Sequence, residues 1–575
     1  MNEDQVLPKE KRLQQAYTPG SSEGEKSHDG ASRSEEKGQQ QAYTPDSTEG
    51  GKSHDGVSRS TGVPSSSTSL NLAEGYPVTS ERFPEHGDNV EDGIHDVMHP
   101  LDMPVWKEII FLFMMIMAQV FTQAMVGQVL IPLHVIGQHF NVKNDGELSW
   151  LIAAYSLTVG TFILSAGRLG DMYGHKLMFM FGIGWMTLWS LLAGISGYAS
   201  SSTFFTVCRA FQGIGPAFML PAALAILGAT YPPGRKKNLV FALFGASAPT
   251  GFNLGAVFSG LVSQFSDWQW AFYLNAIVGA AYLVIVLWVV PKDRDLRHDE
   301  SFDLLGAITG VSGLVLFNFA WNQAPLVGWQ DPYIYVLLIV GVLLLVAFFY
   351  VESRVAAHPL VPINAISSSV IVVLTCLGLG WASFGIWVYY TMQMIQVLRG
   401  HTLMSSVAQS TPVSLSGLTA ALFTGFLFNI GAPKNLVMLL ALTGFTISAI
   451  LLATTPIDQT YWAQTFVGFI IAPFGMDMSF PAATLLLSDA VARRHQGIAA
   501  SLVATVVNYS ISMGLGFAGT VITYVSPGDS QQEFLKGLRS AAYLGIGMSG
   551  LGMLLAGAGL IRELSKGRRG VQTAV

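Results

Sequence analysis

Apolar runs of about 20 residues alternate with short polar loops over most of this chain, beginning near Lys107. An α-helix needs about 20 residues to cross the hydrocarbon core of a bilayer, so each run predicts one membrane-spanning helix. We count fourteen such runs. The predicted spans are 109–134, 149–167, 177–198, 204–230, 239–264, 270–290, 304–322, 333–351, 369–392, 404–428, 435–455, 461–487, 498–525 and 540–561.

The basic residues of the loops fall mainly on one side of the predicted membrane. Twelve lie in loops that alternate with loops holding only four, and such an excess of Lys and Arg marks the cytoplasmic side. Because the number of spans is even, we expect both ends of the chain in the cytoplasm. The twelve are Arg168, Lys176, Arg235, Lys236, Lys237, Lys292, Arg294, Arg297, Arg354, Lys434, Arg493 and Arg494, and the four are Lys143, Arg399, Lys536 and Arg539.

The first 104 residues have a different character, because they are rich in Ser, Gly, Glu, Lys and Gln. Such a segment cannot bury enough apolar surface to offset the entropy of ordering, so residues 1–104 are predicted to form a disordered cytoplasmic tail. The sequence QQAYTP occurs at 14–19 and again at 40–45. Two copies are too few for a stacked repeat fold. A duplication without function explains them, and a phosphorylated or partner-binding segment is the alternative.

The composition excludes several classes of protein. The chain is 51% hydrophobic and 12% charged, whereas soluble domains carry about 25% charged residues. Its two cysteines, Cys208 and Cys376, both lie in apolar runs, so we expect neither a structural disulfide nor a metal site. The sequence has no nucleotide-binding P-loop and no evident set of catalytic nucleophile, base and acid. We therefore expect no ATP hydrolysis, no enzymatic activity and no cofactor.

A short polar loop between the second and third spans carries the most specific motif in the chain. It reads GRLGDMYGHK over residues 167–176 and resembles the signature loop of the major facilitator superfamily. Glycine lets two helices reverse direction within few residues, and an acidic group is favourable near a helix N-terminus. The resemblance implies a loop that controls the inner gate of a transporter. Its expected gating residues are Gly167, Arg168, Asp171, Gly174 and Lys176.

Two further motifs lie in the fourth and fifth spans. Residues 209–215 read RAFQGIG and resemble the R-x-x-Q-G-x-G motif of the same superfamily, which places Arg209 within the membrane. Residues 245–255 read GASAPTGFNLG and resemble a degenerate form of the Gly-Pro motif of antiporters. Small residues let neighbouring helices approach closely in a membrane. The expected members of this antiporter motif are Pro249, Gly251 and Gly255.

Four other segments narrow the resemblance. The sequence DWQWAFYLN at 267–275 is similar to the W-R-W-x-F-x-x-N stretch of fourteen-helix drug:proton antiporters, with Gln where Arg is usual. The segments at 155–162, 231–238 and 474–481 resemble the fungal aminotriazole-resistance and boron-exporter branch. The resemblance covers residues 105–562.

The resemblance implies an all-α membrane protein with the major facilitator fold, which has two six-helix bundles and, in this branch, two extra central helices. The bundles are expected at 105–298 and 367–564, with two inserted transmembrane helices and their linkers at 299–366. A short basic cytoplasmic tail is expected at 565–575.

A proton antiporter needs an ionisable group in the membrane, and the usual one is missing here. Many fourteen-helix antiporters carry an Asp early in the first helix, at the position that Gln123 occupies in this chain. Asp477, in the twelfth span, is therefore the candidate proton carrier, with Arg209 modulating it. A hydrogen-bonded structural role is the alternative for both residues. The expected substrate cavity includes Gln123, Asn253 and Met476.

Two other titratable residues lie near predicted helix ends. His134 is at an outer end, where we expect it to be solvated. Asp489 is near the inner end of the twelfth span, where we expect a helix cap or a salt-bridge partner.

Together these features predict a proton-coupled efflux transporter that exports a small toxic compound, such as a drug, a fungal secondary metabolite or a toxin, by alternating access. A proton-coupled importer of a small nutrient and a borate-type exporter are the alternatives. We expect a monomer whose partners are the small-molecule substrate, protons and the lipid bilayer, and not nucleic acid. The expected location is the plasma membrane, with the vacuolar membrane as the alternative.

Overall fold

The computed structural model describes residues 104–142, 144–199, 201–232, 234–291, 301–361, 363, 366–490, 496–528 and 530–572. In this part of the chain every regular element is a helix. The helices of the first half are α1 Val105–Leu130, α2 Leu133–His139, α3 Asp145–Tyr173, α4 His175–Ile195, α5 Ser202–Thr230, α6 Arg235–Phe265 and α7 Gln269–Val289. The others are α8 Leu304–Val327, α9 Pro332–Tyr350, α10 Ser368–Gln393, α11 Leu403–Ser410, α12 Pro412–Asn429, α13 Lys434–Thr454, α14 Gln464–Ala490, α15 Gln496–Val525 and α16 Gln531–Gln572.

Fourteen helical stretches in the described residues are long and apolar enough to cross a membrane, which confirms the number predicted from the sequence. The first is Val105–Leu130 and the last is Gln531–Ser565. The predicted tail at 1–104 lies outside the described residues, apart from Pro104. The loop residues 292–300 and 491–495, with five of the twelve basic residues counted above, also lie outside them.

The first and tenth predicted spans differ from the structure at a proline. The apolar run at 109–134 predicts one helix, but α1 ends at Leu130 and α2 begins after Pro132. Proline has no N–H to donate, and its ring clashes with the preceding turn of a helix. In the tenth span α11 ends at Ser410, and Pro412 occupies the first turn of α12. The last helix differs in the other direction, since α16 continues through most of the predicted basic tail.

The helices group into two bundles that follow the two halves of the chain. In the first bundle α1 packs along α6, α3 packs along α5, and α4 packs along α5 and α7. In the second, α13 packs along α14 and α16, α10 packs along α15 and α16, and α12 packs along α14. The bundles meet along two seams, one between α3 and α15 and one between α6 and α12. The expected fold class is therefore confirmed, with two six-helix bundles and two additional helices.

The two additional helices, α8 and α9, pack on each other, and α8 also contacts α3 and α15. A buried amide network joins α8 to α15. Asn322 Nδ2 donates to Asn318 Oδ1 at 2.9 Å, and Ser512 Oγ donates to the same oxygen at 2.9 Å. The span that contains α9 has a mean hydropathy of 3.0 and is only 17% buried, so its side chains are free to face lipid.

Candidate substrate cavity and proton site

The motif at 167–176 forms a one-residue turn between α3 and α4. Gly174 makes the turn with a φ angle of +99°, in the left-handed region that favours glycine. Asp171 Oδ1 lies 3.4 Å from His175 Nε2 in the first turn of α4. Lys176 Nζ donates to two carbonyl oxygens at the C-terminal end of α7, where a cation is favourable. The loop thus joins three helices of the first bundle.

Gly167 lies at the seam with the second bundle. A Cβ atom at this position would lie 3.0 Å from the Oγ atom of Ser501 in α15. Arg168 is partly buried in the same turn of α3. The contacts described for Asp171 and Lys176 lie within the first bundle, while Gly167 reaches the second. The inner-gate role of this loop stays a prediction.

Arg209 is completely buried in the first bundle, where main-chain carbonyl groups satisfy much of its guanidinium. Its Nε donates to Leu151 O at 3.3 Å, its Nη2 donates to Met125 O at 2.9 Å, and its Nη1 donates to the side chain of Gln212. The guanidinium carbon also lies 4.5 Å from the centre of the Tyr155 ring, a favourable cation–π distance. These contacts are the ones expected if Arg209 has the structural role given above as the alternative. Its role in modulating proton transfer stays a prediction.

The antiporter motif brings the backbone of α6 against that of α1. A Cβ atom on Gly251 would lie 2.6 Å from the carbonyl oxygen of Val120 in α1, so the packing leaves no room for a side chain at this position. A Cβ atom on Gly255 would overlap the carbonyl oxygen of Ala124. Helices approach this closely only where side chains are small, which accounts for the glycine spacing of the motif.

Asp477 lies in α14, at the seam between the two bundles. A Cβ atom on Gly417 of α12 would overlap the ring of Pro249 in α6 and lie 2.9 Å from Asp477 Oδ2. The glycine therefore leaves room for the acid of the second bundle beside the proline of the first. The Oδ2 atom is buried and has no hydrogen-bond partner among the described residues. An uncompensated carboxyl group inside a membrane protein is costly, and the proton-carrying role of Asp477 stays a prediction.

A small cavity of about 30 Å³ lies between the two bundles. It has room for about two water molecules. Among the described residues, its lining contains no Asp, Glu, Lys, Arg or His, and much of the wall is aromatic. Gln123 and Met476, two of the three predicted cavity residues, line it. The third, Asn253, is not in the lining but is buried in α6 beside the lining residue Phe252.

The aromatic wall of this cavity was not predicted from the sequence. It includes Trp381, whose Nε1 donates to Ser479 Oγ at 3.0 Å, and Tyr389, whose hydroxyl accepts from Gln393 at 3.0 Å. Aromatic residues occur throughout the apolar runs, and only the rotation of each helix decides which of them face the cavity. One signal was present, since five of the ten residues at 381–390 are aromatic.

Two expectations for residues near helix ends have different outcomes. Asp489 forms an ion pair with Lys434, as expected. The expectation that His134 is solvated is wrong, because His134 is only 7% exposed and its Nε2 lies 2.5 Å from Gln393 Oε1. The reason is that α2 turns inward after Pro132 and meets the outer end of α10.

Cys208 and Cys376 are both buried as free thiols. Within the described ranges, no group of three His, Cys, Asp or Glu side chains is arranged to hold a metal ion.

Fourteen helical stretches that are long and apolar enough to cross a membrane, in two bundles around a central cavity, define the class of a multi-pass membrane protein. The sequence profile of the Major Facilitator Superfamily matches residues 111–516. The chain belongs to this superfamily.

Similar proteins confirm the resemblance to the fungal drug-efflux branch. The chain is 56% identical to the low affinity ammonium transporter of Saccharomyces cerevisiae, over 76% of this chain and 86% of that protein. It is 44% identical to efflux pump terJ of Aspergillus terreus, over 80% of this chain and 89% of that one. It is 37% identical to the aminotriazole resistance protein of Saccharomyces cerevisiae, over 88% and 94% of the two chains.

Solved structures agree on the fold. The crystal structure of the peptide transporter POT in complex with sulfate superimposes with a TM-score of 0.59, over 80% of this chain and 95% of that one. The two sequences are 14% identical, so this likeness concerns the fold alone.

Proposed function

We propose that this protein exports a small toxic compound across the plasma membrane and that inward movement of protons drives the export. The relatives named efflux pump terJ and aminotriazole resistance protein support the direction of transport. The two bundles supply the means, because rocking of one against the other would open the central cavity to each side of the membrane in turn.

The position of Asp477 carries the proton-coupled part of this proposal. Its buried Oδ2 atom and the ring of Pro249 in the first bundle both lie close to Gly417 of the second. An ionised carboxylate at this place would lose its hydration without gaining a partner, whereas a protonated carboxyl group would lose much less. We infer that proton binding favours the closed seam and that proton release requires the seam to open to water. The charge state of one residue is then tied to the arrangement of the bundles.

In the helices that contact α14, the charged residues within the described ranges lie at helix ends. These helices are α6, α10, α12, α13 and α15. Their Asp, Glu, Lys and Arg residues within the described ranges are Arg235, Lys236 and Lys237 in the first turn of α6 and Lys434 at the start of α13. Asp477 lies near the middle of α14, so it is the acid best placed to carry a proton through the membrane.

The cavity supports a small substrate that is neutral or weakly basic. Among the described residues, its lining holds amide, hydroxyl and aromatic groups, such as those of Gln123, Ser156 and Trp381, and no ionised partner for an anion. Such a wall binds by apolar contact with a few hydrogen bonds, as is usual for small-molecule sites.

The experiment uses Asp477→Asn, with Asp489→Asn in the same helix as the matched control. A survival screen of export-deficient cells against a panel that begins with aminotriazole first identifies a transported compound. In vesicles reconstituted with the full chain, we then measure proton movement induced by that compound. Asp477→Asn should abolish uphill, pH-dependent export but retain exchange of labelled for unlabelled compound, because exchange needs no net proton transfer.

The control should export normally, since Asp489 is exposed and pairs with Lys434 at a helix end. Proton movement at the normal ratio to substrate in Asp477→Asn would show that the carrier lies elsewhere. Uptake of the compound with the same dependence on protons, in place of export, would instead support the alternative function of a proton-coupled importer.

A second candidate substrate is ammonium. The 56% identical relative named low affinity ammonium transporter supports it, as does a cavity of about 30 Å³ with aromatic faces. Aromatic rings attract small cations through their negative faces. Methylammonium, which can be radiolabelled, serves as the probe.

Saturable methylammonium movement in the vesicles, reduced by Trp381→Leu, would favour this candidate. If methylammonium crosses no faster than in empty vesicles while a larger toxin is exported, ammonium is excluded as the substrate.

A further inference from the structure

Two hydrogen bonds join the bundles at the outer end of the cavity. His134 Nε2 lies 2.5 Å from Gln393 Oε1, and Gln396 Nε2 donates to Ile131 O at 3.0 Å. Ile131 and His134 belong to the first bundle, whereas both glutamines belong to the second. All three polar side chains are buried, with at most 7% of each residue exposed.

Both backbones are irregular where they meet. On one side, α1 ends at Leu130 and the chain restarts as α2 after Pro132, which leaves the Ile131 carbonyl available to an outside donor. On the other side, α10 widens into a π-helical turn at Met394–Leu398. Single π turns within helices are frequent at functional sites, because they re-aim side chains. Here the turn contains Gln396 and directly follows Gln393.

The bonds continue from this contact into the cavity. Gln393 Nε2 donates to the hydroxyl of Tyr389 at 3.0 Å, and Tyr389 lines the cavity. Because the amide nitrogen of Gln393 points to Tyr389, its oxygen faces the imidazole, so His134 Nε2 carries the hydrogen of this bond. One chain of bonds therefore leads from His134 through Gln393 to the wall of the cavity.

We propose that His134, Gln393 and Gln396 form an outer latch that closes the external mouth of the cavity, and that Tyr389 links the latch to the cavity contents. Opening to the outside must break both bonds between the bundles. A compound that competes for the Tyr389 hydroxyl frees the Gln393 amide and weakens the latch from within. The proposal rests on the alternating access proposed above, but not on Asp477 or on any particular substrate.

The experiment measures access to the cavity from outside. Cys208 and Cys376 are replaced by Ala, and Leu130→Cys places a single thiol in the cavity lining next to the latch. A membrane-impermeant maleimide is added to right-side-out vesicles that contain the full chain. With neither substrate nor proton gradient present, His134→Ala and Gln393→Ala should each speed labelling about five- to tenfold, as expected for one lost hydrogen bond.

Two further variants separate a latch from ordinary packing. His134→Gln keeps an N–H donor, so it should return labelling toward the parent rate. His139→Ala, on the same short helix, should leave the rate unchanged, because His139 Nε2 contacts Gly197 O within the first bundle. Gln396→Ala removes the other bond between the bundles, and it tests the latch even if His134→Ala fails to fold.

Labelling at the parent rate in Gln393→Ala and Gln396→Ala would overturn the latch, as would an equal increase in His139→Ala. Because labelling needs no transport, a failed latch leaves the proton proposal standing. If the latch variants behave as expected but Asp477→Asn still moves protons with substrate, the proton proposal fails and the latch stands.

Discussion

At the scale of single residues, Gly255 and Gly245 offer a matched test of the packing between α1 and α6. Gly255→Ala would place a methyl group onto the carbonyl oxygen of Ala124, whereas Gly245, in the same helix, has open space around it. We expect Gly255→Ala to lower the free energy of unfolding by about 1–3 kcal/mol, the usual cost of overpacking. Gly245→Ala should be neutral or slightly stabilising, since alanine favours a helix.

Thermal unfolding of both purified variants in detergent measures this difference. A melting temperature for Gly255→Ala equal to that of the parent would contradict the close backbone contact, and so would an equal loss in both variants.

Residue-scale features could be predicted where a local motif contains them. Arg209 and Pro249 stand in short motifs, so the sequence was enough to select them. Gly417 stands in none. Its importance comes from the meeting of α6, α12 and α14, which only the folded chain brings together. The same limit applies to Gln393, whose partner His134 lies in the other half of the chain.

At the scale of helices, the amide network between α8 and α15 should fix the inserted pair to the second bundle. Asn318 Oδ1 accepts from both Asn322 and Ser512, and Asn318 is fully buried. Asn318→Ala should lower the free energy of unfolding by about 0.6 kcal/mol, the average measured for hydrogen bonds between membrane helices, and by at most about 1.7 kcal/mol. Thr309→Val is the control, because the Thr309 hydroxyl bonds within its own helix.

Urea or thermal unfolding of the two variants in detergent checks the prediction. If Thr309→Val costs as much as Asn318→Ala, the loss does not come from the contact between helices.

The helices themselves could be predicted well, because span length and hydropathy are local properties. Their ends could be predicted less well. Pro132 and Pro412 each lie inside an apolar run, and an average over the run does not register a single residue that lacks an N–H group. The length of α16 was missed for the opposite reason, since a basic segment reads as a loop although it continues the helix.

At the scale of the whole molecule, transport should not need the tail. Residues 1–100 are polar, repetitive and outside the superfamily match at 111–516. Deleting them should leave export within about twofold of the full chain, an allowance for altered abundance in the membrane. Export per molecule in vesicles, with the amount of inserted protein measured by immunoblot, tests this. Loss of export in a correctly inserted truncation would give the tail a direct role.

The architecture as a whole could be predicted because fourteen apolar runs and one loop motif already restrict it to one superfamily. The cavity could be predicted only in part. Gln123 and Met476 line it, but the aromatic face at 381–390 depends on how α10 is rotated against its neighbours. Rotation is a property of the packed bundle, and no single run of sequence contains it.

The carbonyl oxygens that hold Arg209 have a consequence for how this protein can evolve. A main-chain acceptor is the same whichever side chain its residue carries, so Met125 and Leu151 can mutate without removing a partner of the guanidinium. Their neighbours in the chain, Val126 and Ile152, line the cavity. Mutation of these two neighbours can therefore reshape the cavity wall while the buried charge behind it keeps its hydrogen bonds.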